Sequence, residues 1–353
     1  MIESLLANWD GESVVVQKDK PTGAVIIIAL HSSRLGPPTG GTRMKRYASL
    51  GEAFEDAFRL SAGMTYKFAV PDLGRGGGKA VIVVPDDMAT QERPDLLKRY
   101  GELVHRLGGL FYTGPDVGTS AADMDVIAET GHPYIFCRTL ESGGAGSPGP
   151  YTALGVFTAI QVAYAHLSGQ TSLEGCRVLV QGVGSVGRRL IEHLVEAGAE
   201  VLFSEVDAEI IGRYRDEMGL QFVPAQLVST TDCEIYAPCA LGGVLNKNSI
   251  PRLKCRAVAG GANNQLASPE MAEKLMARGI LYAPDYVVNV GGALAIPGIE
   301  IQGWSQPEAE KRVSESVREA LFRIFRLSQV EGITTDAAAC RIAEDNLAKV
   351  PGY

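Results

Sequence analysis

Two lysines in the first quarter of the sequence stand beside glycines. Lys67 ends the segment Gly63-Met-Thr-Tyr-Lys67, and Lys79 follows three consecutive glycines in Gly76-Gly-Gly-Lys79. Glycines have no side chain to cover a neighbour, so Lys79 must be held by its surroundings, and burial there would favour the neutral amine and lower its pKa. A neutral amine near pH 7 can act as a general base. From these residues alone, an ordinary surface lysine stays an open alternative.

A second motif has the spacing of a dinucleotide-binding turn. Gly182-Val-Gly-Ser-Val-Gly187 follows an apolar strand pattern at Arg177 to Gln181 and precedes a helical pattern, which is the context that such a turn requires. The free N–H groups at the start of that helix would bind a pyrophosphate. Glu205 ends the next predicted strand, where a carboxylate accepts hydrogen bonds from both ribose hydroxyls and repels a 2′-phosphate. The sequence therefore predicts NAD, while Arg188 and Arg189 leave NADP open.

Several motifs follow one another in the order of a known family. They are Gly40-Gly-Thr-Arg43, Met64-Thr-Tyr-Lys67, Gly76-Gly-Gly-Lys79, Pro115-Asp-Val117, Asp123-Met-Asp125, Gly182-Val-Gly-Ser-Val-Gly187, Gly261-Ala-Asn-Asn264 and Asn289-Val-Gly-Gly292. In these motifs the chain resembles the amino acid dehydrogenases that act on glutamate, leucine, valine and phenylalanine, and the similarity covers nearly the whole chain. The resemblance implies NAD-dependent, reversible oxidative deamination of an L-amino acid to its 2-oxo acid and ammonium.

The same resemblance implies roles for individual residues. Lys79 would activate the water that attacks the iminium, Asp116 would move protons to and from the amino group, and Lys67 would hold the substrate carboxylate. The other implied substrate-binding positions are Gly40, Gly41, Met64, Thr39, Gly114, Asn289, Ala293 and Ile296. The expected cofactor-binding positions are Gly182, Val183, Gly184, Ser185, Val186, Gly187, Glu205, Thr152, Cys239, Ala240, Ala262 and Asn263. Several of the latter are also compatible with a simple role in turns.

Three of the implied pocket positions hold smaller residues than the leucine enzymes usually have. They are Thr39, Gly114 and Ala293. Added space at one pocket can admit an aromatic ring, so the chain looks most like a phenylalanine dehydrogenase, and we expect L-phenylalanine as substrate with leucine or valine as the alternative. The hydroxyl of Thr39, and Val290 where the family usually has alanine, leave tyrosine, tryptophan or another amino acid open. A remote alternative is a catalytically silent NAD-binding sensor.

The elements that must position these residues form an α/β pattern. Strand patterns at 13–17, 25–28 and 80–84 alternate with helical patterns in the first part, with exposed glycine-rich turns between them. The second part alternates strands and helices as a parallel, doubly wound sheet does. We therefore expect an N-terminal α/β substrate-binding and oligomerisation domain at residues 1–138, joined by a C-terminal helix at 335–353. A Rossmann-type NAD-binding domain would occupy residues 139–334, with the active-site cleft between the domains.

Composition excludes several other classes of protein. The 353 residues carry a net charge of −8 and no basic run, which argues against nucleic acid as a partner. The longest apolar run, Ala24 to Leu30, is far shorter than the ~18 residues of a membrane span, so we expect a cytoplasmic protein with no membrane partner. Six cysteines show no ligand spacing, so no metal site is expected. The expected partners are the amino acid, its 2-oxo acid, ammonium and further copies of the chain.

Overall fold

A computed structural model describes residues 2–350 of the chain, and they fall into two compact units. The first unit comprises the described residues up to Ser147, Ile296–Gln306 and the described residues from Ala343 onward. The second comprises Pro148–Ala295 and Pro307–Ile342. The domain boundaries expected at residues 138 and 334 stay a prediction, because compact packing alone does not define a domain. Among the residues described, no helix is both long enough and apolar enough to cross a bilayer.

The first unit is built on one five-stranded sheet. Its elements in chain order are α1 (Ile2–Asn8), β1 (Ser13–Lys18), β2 (Val25–Ser32), β3 (Pro38–Lys45), α2 (Leu50–Ala69), β4 (Gly76–Val83), α3 (Arg93–Arg106), β5 (Tyr112–Pro115) and α4 (Ala121–Gly131). The strand order is β1-β2-β4-β3-β5. Strands β3, β4 and β5 run parallel, while β2 is antiparallel to both β1 and β4. Residues that follow β3, β4 and β5 therefore emerge at the same end of the sheet.

Helices cover both faces of this sheet, and the alternation of side chains along β2 decides which residue meets which helix. Ile27 packs with Phe54 and Phe58 of α2. Its neighbours Ile26 and Ile28 point the other way, into a cluster with residues of α3 and α4 such as Tyr100 and Ile127. The isoleucines of β2 are fully buried. The apolar run that the sequence shows at Val25 to Ile28 is thus a strand covered on both sides.

The glycine-rich segments of the first unit lie inside strands, and the expectation that they form exposed turns was wrong. Gly40 and Gly41 belong to β3, and Gly76 to Gly78 begin β4. A Cβ atom on Gly40 would lie 1.7 Å from the carbonyl oxygen of Gly78. Glycine is required there because two neighbouring strands approach more closely than a side chain allows.

The second unit contains a six-stranded parallel sheet. Its elements are α5 (Gly149–Ser168), β6 (Arg177–Gln181), α6 (Gly187–Glu196), β7 (Glu200–Ser204), α7 (Ala208–Gly212), β8 (Gln221–Phe222), β9 (Ile235–Pro238), β10 (Ala257–Val258), α8 (Glu270–Ala277), β11 (Leu281–Tyr282), α9 (Asp285–Val288), α10 (Gly291–Gln302), α11 (Gln306–Glu331) and α12 (Thr335–Ala348). The strand order is β11-β10-β9-β6-β7-β8. The order reverses at β6, as in a doubly wound sheet, which confirms the predicted fold class.

Short helical turns at Thr90–Glu92, Arg213–Glu217, Ala225–Thr230 and Ile250–Arg252 complete the two units. Two longer helices are divided between the units: the last part of α10, from Ile296, and the last part of α12, from Ala343, belong to the first. In that unit Asn346 of α12 donates a hydrogen bond of 2.8 Å to the carbonyl of Ala69, at the end of α2. Helix α12 therefore supplies a hydrogen-bond donor to the carboxyl end of α2, which lies much earlier in the sequence.

Candidate active site

The structure brings Lys79 and Asp116 together in the first unit. The Nζ atom of Lys79, in β4, lies 2.9 Å from Oδ2 of Asp116, which directly follows β5. Strand β3 runs between them, and a Cβ atom on Gly41 would lie 3.3 Å from that Nζ and 2.9 Å from the Cβ of Asp116. Only glycine at position 41 lets the amine and the carboxylate meet across the intervening strand.

A second cation and a second carboxylate extend this pair. Arg43 donates from Nε to Oδ2 of Asp116 at 2.7 Å and from Nη1 to Oδ2 of Asp56, also at 2.7 Å. The hydroxyl of Tyr47 donates to the same oxygen of Asp56 at 2.7 Å. Arg43 thus fixes the orientation of Asp116. It belongs to the Gly40-Gly-Thr-Arg43 motif, but sequence reasoning did not assign it to the site.

The surroundings shift the protonation of both members of the pair. The side chain of Lys79 is 6% exposed, and this burial lowers the pKa of its amine, which the neighbouring Asp116 offsets only in part. Burial alone would raise the pKa of Asp116, but Lys79 and Arg43 hold it below its usual value. A buried amine with a lowered pKa beside an ionised carboxylate can exchange protons near neutral pH.

An aromatic ring that sequence reasoning missed packs against Gly114, on the strand next to Gly41. Gly41 and Gly114 are direct neighbours across β3 and β5. A Cβ atom on Gly114 would lie 2.5 Å from Cε2 of Phe136, so the ring occupies the space that glycine leaves. The added volume that we expected at Gly114 is therefore filled by Phe136. Its backbone N–H donates to the carbonyl of Thr113 at 3.0 Å, which aligns the residue with β5.

The remaining substrate-binding candidates of the first unit are dispersed around the sheet and α2. Thr39 is buried, donates its hydroxyl to the carbonyl of Pro37 at 2.9 Å and accepts a long bond of 3.4 Å from Nη1 of Arg75. Met64 and Lys67 are half-buried on the last turns of α2, and Ile296 is buried in α10. Within residues 2–350, no carboxylate lies at ion-pair distance from Arg75, although the residue is 6% exposed.

The glycine turn of the second unit joins the end of β6 to the start of α6. Gly182 adopts a left-handed φ of +95°, and a Cβ on it would lie 2.6 Å from the Cβ of Ala240. A Cβ on Gly187 would lie 1.9 Å from the carbonyl oxygen of Gly182. Gly184 has no atom within 4 Å of its Cβ position, so the side toward which it faces is open. The first and third glycines serve packing, and the middle one leaves room for a ligand.

Glu205 follows β7 and faces this turn. Its carboxylate accepts hydrogen bonds from the backbone N–H groups of Val183 at 2.7 Å and Val206 at 2.6 Å. Burial alone would raise the pKa of Glu205, but these backbone bonds lower it, so the carboxylate stays charged. An open Gly184 beside an ionised acid at the end of the second strand fits NAD, with the turn holding the pyrophosphate and Glu205 holding the ribose hydroxyls.

The other cofactor-binding candidates gather near the end of β9. Asn289 donates from Nδ2 to Oδ1 of Asn263 at 2.7 Å and to the carbonyl of Gly261 at 3.3 Å. A Cβ on Gly261 would lie 3.7 Å from Sγ of Cys239, and Ala262 donates to the carbonyl of Pro238 at 2.9 Å. Asn289, predicted as a substrate-binding residue, is thus linked directly to the predicted cofactor-binding residues.

Thr152 and Ala293 lie at a separate contact in the second unit. Thr152, on the first turn of α5, donates its hydroxyl to the carbonyl of Pro148 at 3.0 Å and accepts from the N–H of Gly292 at 3.3 Å. Ala293 follows that glycine on α10 and is partly exposed. The first turns of α5 and α10 are therefore in direct contact.

Two family models match the chain. The model described as "Glu/Leu/Phe/Val dehydrogenase, dimerisation domain" matches residues 13–132. The model described as "Glutamate/Leucine/Phenylalanine/Valine dehydrogenase" matches residues 143–204 and 203–350. Together they match parts of both units and contain all the motifs on which the resemblance was based.

Individual relatives agree with the family models. A leucine dehydrogenase from Geobacillus stearothermophilus is 39% identical over 97% of this chain and 92% of its own length. A valine dehydrogenase from Streptomyces virginiae is 42% identical over 95% of this chain and 93% of its own. The crystal structure of an L-tryptophan dehydrogenase from Nostoc punctiforme superimposes with a TM-score of 0.87 at 36% identity, covering 99% of each chain. The chain therefore belongs to the family of glutamate, leucine, phenylalanine and valine dehydrogenases, whose members are NAD-dependent amino acid dehydrogenases.

Proposed function

We propose that the chain catalyses the reversible, NAD-dependent oxidative deamination of a hydrophobic L-amino acid to its 2-oxo acid and ammonium. The observation that carries this proposal is the contact of 2.9 Å between the buried amine of Lys79 and the carboxylate of Asp116. NAD, when bound, accepts the hydride that leaves the α-carbon. The residues of the chain then manage the water and the protons.

The proton steps divide between the two groups. Asp116 takes a proton from the substrate ammonium, which leaves the neutral amine from which the iminium forms. Neutral Lys79 takes a proton from a water molecule as its oxygen attacks the iminium carbon. Asp116 returns its proton to the nitrogen, the C–N bond breaks and ammonia leaves, while Asp116, ionised again, takes the proton of the carbinol oxygen, which becomes the 2-oxo group. Asp116 and Lys79 then release their protons to water, and ammonia takes up one of them to become ammonium. In this proposal Lys67 fixes the substrate carboxylate throughout.

We propose L-phenylalanine as the preferred substrate. The small residues Thr39 and Ala293 support it, and Phe136 offers a ring against which an aromatic substrate can pack, worth about 0.5–1.5 kcal/mol beyond buried area. The similarity to a tryptophan dehydrogenase is in keeping with an aromatic substrate. A second candidate, leucine or valine, is favoured by the similarity of the chain to a leucine dehydrogenase and a valine dehydrogenase.

Substrate panels test both candidates. NADH formation is measured with L-phenylalanine, L-tryptophan, L-leucine, L-valine and L-glutamate, using NAD and, separately, NADP. We expect the highest kcat/KM with phenylalanine and NAD, and at least a thousandfold loss of kcat in Lys79→Ala, because the water then has no base. A kcat/KM for leucine tenfold above that for phenylalanine would replace the first candidate by the second. NAD binding without turnover of any amino acid would favour the sensor alternative.

We also propose that the chain forms a homo-oligomer through its first unit. The family model that matches residues 13–132 is described as a dimerisation domain. Strand β1 is an edge of the sheet, and its residue Val16 is 51% exposed. Two apolar residues of α1 are also exposed, Ile2 at 37% and Leu6 at 45%. An edge strand with an apolar surface is a natural site for pairing with a second copy.

A further inference from the structure

The segment that follows Phe136 is held in an unusual conformation. Residues 137–146 are here called the strap. They follow Ile135, which forms an isolated β-bridge with Thr113 of β5, and they lead toward the start of α5. Cys137 has a φ of +64°, a left-handed conformation that costs of order 1 kcal/mol or more for a residue other than glycine. Because this conformation is unfavourable, contacts with the surroundings must stabilise it. Cys137 directly follows Phe136, so the same contacts affect the backbone beside the ring.

A buried carboxylate supplies that stabilisation. The side chain of Glu300, on the part of α10 that belongs to the first unit, is 1% exposed. Its Oε1 accepts hydrogen bonds from the backbone N–H groups of Cys137 and Ala145, each at 2.9 Å. Its Oε2 accepts from Nε of Arg138 at 3.3 Å. One carboxylate thus connects both ends of the strap, and Arg138 compensates its charge.

A second carboxylate holds the middle of the strap. Asp125, on α4, accepts from the N–H of Thr139 at 3.0 Å and from its hydroxyl at 2.6 Å. This bond does not reach the peptide beside Phe136. The N–H of Phe136 bonds the carbonyl of Thr113 at 3.0 Å, and the N–H of the next residue, Cys137, bonds Glu300. Strand β5 therefore holds the backbone before the ring of Phe136, and Glu300 holds the backbone that follows it.

We infer that Glu300 is a positioning residue for substrate selection: by binding Cys137 and Ala145 it holds the ring of Phe136 over Gly114, the residue that pairs with Gly41 across β3 and β5. This inference rests on the proposed function, in which Phe136 borders the substrate side chain. Without the carboxylate, Cys137 relaxes from its left-handed conformation, the ring leaves Gly114, and the contact that favours an aromatic substrate is lost. The chemistry at Lys79 and Asp116 stays intact.

Three substitutions of Glu300 separate this role from general stability. Glu300→Met removes both oxygens at similar length. Glu300→Asp keeps a charge near Arg138 but withdraws the oxygen from the two N–H groups by about one bond length. Glu300→Gln retains Oε1 as an acceptor for both N–H groups and serves as the conservative rescue. Asp19→Leu is the matched control, because Asp19 is equally buried at 2% exposure and bonds Arg99 in the same unit, away from Phe136.

The readout is the ratio of kcat/KM for phenylalanine to that for valine, with hydrogen exchange of the strap amides. We expect the ratio to fall about tenfold in Glu300→Met and about threefold in Glu300→Asp, with faster exchange at Cys137 and Ala145, because side-chain contacts of this size discriminate by that order. Glu300→Gln should stay within twofold of the parent. Asp19→Leu should lower the melting temperature and leave the ratio unchanged.

Ratios within twofold of the parent in both Glu300→Met and Glu300→Asp overturn the inference, and so does a fall of the same size in Asp19→Leu. If Glu300→Met does not fold, Glu300→Asp decides the outcome by itself. Failure of the proposed function would look different: the unmodified protein would turn over neither phenylalanine nor valine. Hydrogen exchange of the strap amides would still report whether Glu300 holds Cys137.

Discussion

At the scale of single residues, the candidate site is a chain of alternating charges. Lys79, Asp116, Arg43 and Asp56 follow one another at contacts of 2.7–2.9 Å. Each charged group in this chain shifts the pKa of the groups beside it. The pKa of Lys79 is therefore adjustable from positions that do not contact the substrate in the proposed mechanism.

We predict opposite pH shifts for substitutions at Arg43 and Asp56. The neutral amine of Lys79 is the active base, so kcat/KM rises as pH increases through its pKa. Arg43 lowers that pKa and Asp56 raises it. Arg43→Gln should therefore move the acid limb of the kcat/KM profile to higher pH by about 1 unit, and Asp56→Asn should move it to lower pH.

The control for this pair is Arg59→Gln. Arg59 also bonds Asp56, at 2.8 Å, but its side chain is 59% exposed, so solvent screens its charge and the limb should move less than in Arg43→Gln. Shifts of the same sign in Arg43→Gln and Asp56→Asn would contradict the assignment of the limb to Lys79.

Some of these residues could be predicted from sequence, and others could not. Lys79 was singled out because it follows three glycines, and the structure places it against Asp116. Phe136 and Arg75 were missed because their surroundings depend on tertiary contacts: Phe136 meets Gly114 across a strand edge, and Arg75 is buried against Thr39. No local pattern marks a ring or a cation whose neighbours lie more than twenty residues away in the sequence.

At the scale of elements, glycines decide how closely the strands approach and where a ligand fits. Strand β6 was predicted with its observed bounds, because its apolar residues lie between a turn and the glycine motif. Strand β3 was missed. Its sequence, Pro38-Thr-Gly-Gly-Thr-Arg-Met-Lys45, has the composition of a turn, and only the packing of Gly40 against β4 explains why it is a strand.

We predict that Gly40→Ala destabilises the first unit. The added Cβ would lie 1.7 Å from the carbonyl oxygen of Gly78, so the central strands must separate, at a cost of about 3 kcal/mol in the free energy of unfolding. Gly63→Ala is the control: it lies within α2 and has no atom within 4 Å of its Cβ position. It should gain about 0.5–1 kcal/mol, as alanine does over glycine in a helix. Urea unfolding measures both, and equal stability of the two variants would refute the packing argument.

We predict that Gly184→Val separates folding from cofactor binding. Since the Cβ position of Gly184 has no atom within 4 Å, the melting temperature without cofactor should change by less than about 2 °C. The stabilisation that saturating NAD provides, about 3 kcal/mol at a hundredfold excess over Kd, should disappear. Gly212→Val, where the nearest atom lies 3.8 Å away, should retain it. A full NAD response in Gly184→Val would show that the pyrophosphate lies elsewhere.

At the scale of the whole molecule, the apolar side chains exposed on edge strand β1 and on α1 support the proposed self-association through the first unit. The order of the two units along the chain was predictable, because the glycine turn and the motifs of the first unit are far apart in sequence. The division of α10 and α12 between the units was not, because a continuous helical pattern gives no indication of which partner each turn contacts.

We predict that Val16→Lys weakens the homo-oligomer. A lysine on edge strand β1 places a charge where the second copy would pair, and a buried uncompensated charge opposes association. Light scattering after size-exclusion chromatography should show a smaller particle at equal concentration. Val195→Lys is the control, because Val195 is similarly exposed at 44% but lies on α6 of the second unit. An unchanged particle mass in Val16→Lys would place the interface away from β1.

The bond between Asn346 and Ala69 has a consequence for synthesis of the protein. The two residues are 277 positions apart, so the ribosome must add that many residues after Ala69 before the end of α2 receives its donor. The first unit begins first and finishes last, because its final segment starts at Ala343. The segment Pro148–Ala295 of the second unit is synthesised in between. During that time α2, which carries Met64 and Lys67, lacks the hydrogen bond from Asn346. A nascent chain stalled before Asn346 should therefore be cleaved by protease near the end of α2, while the released chain resists.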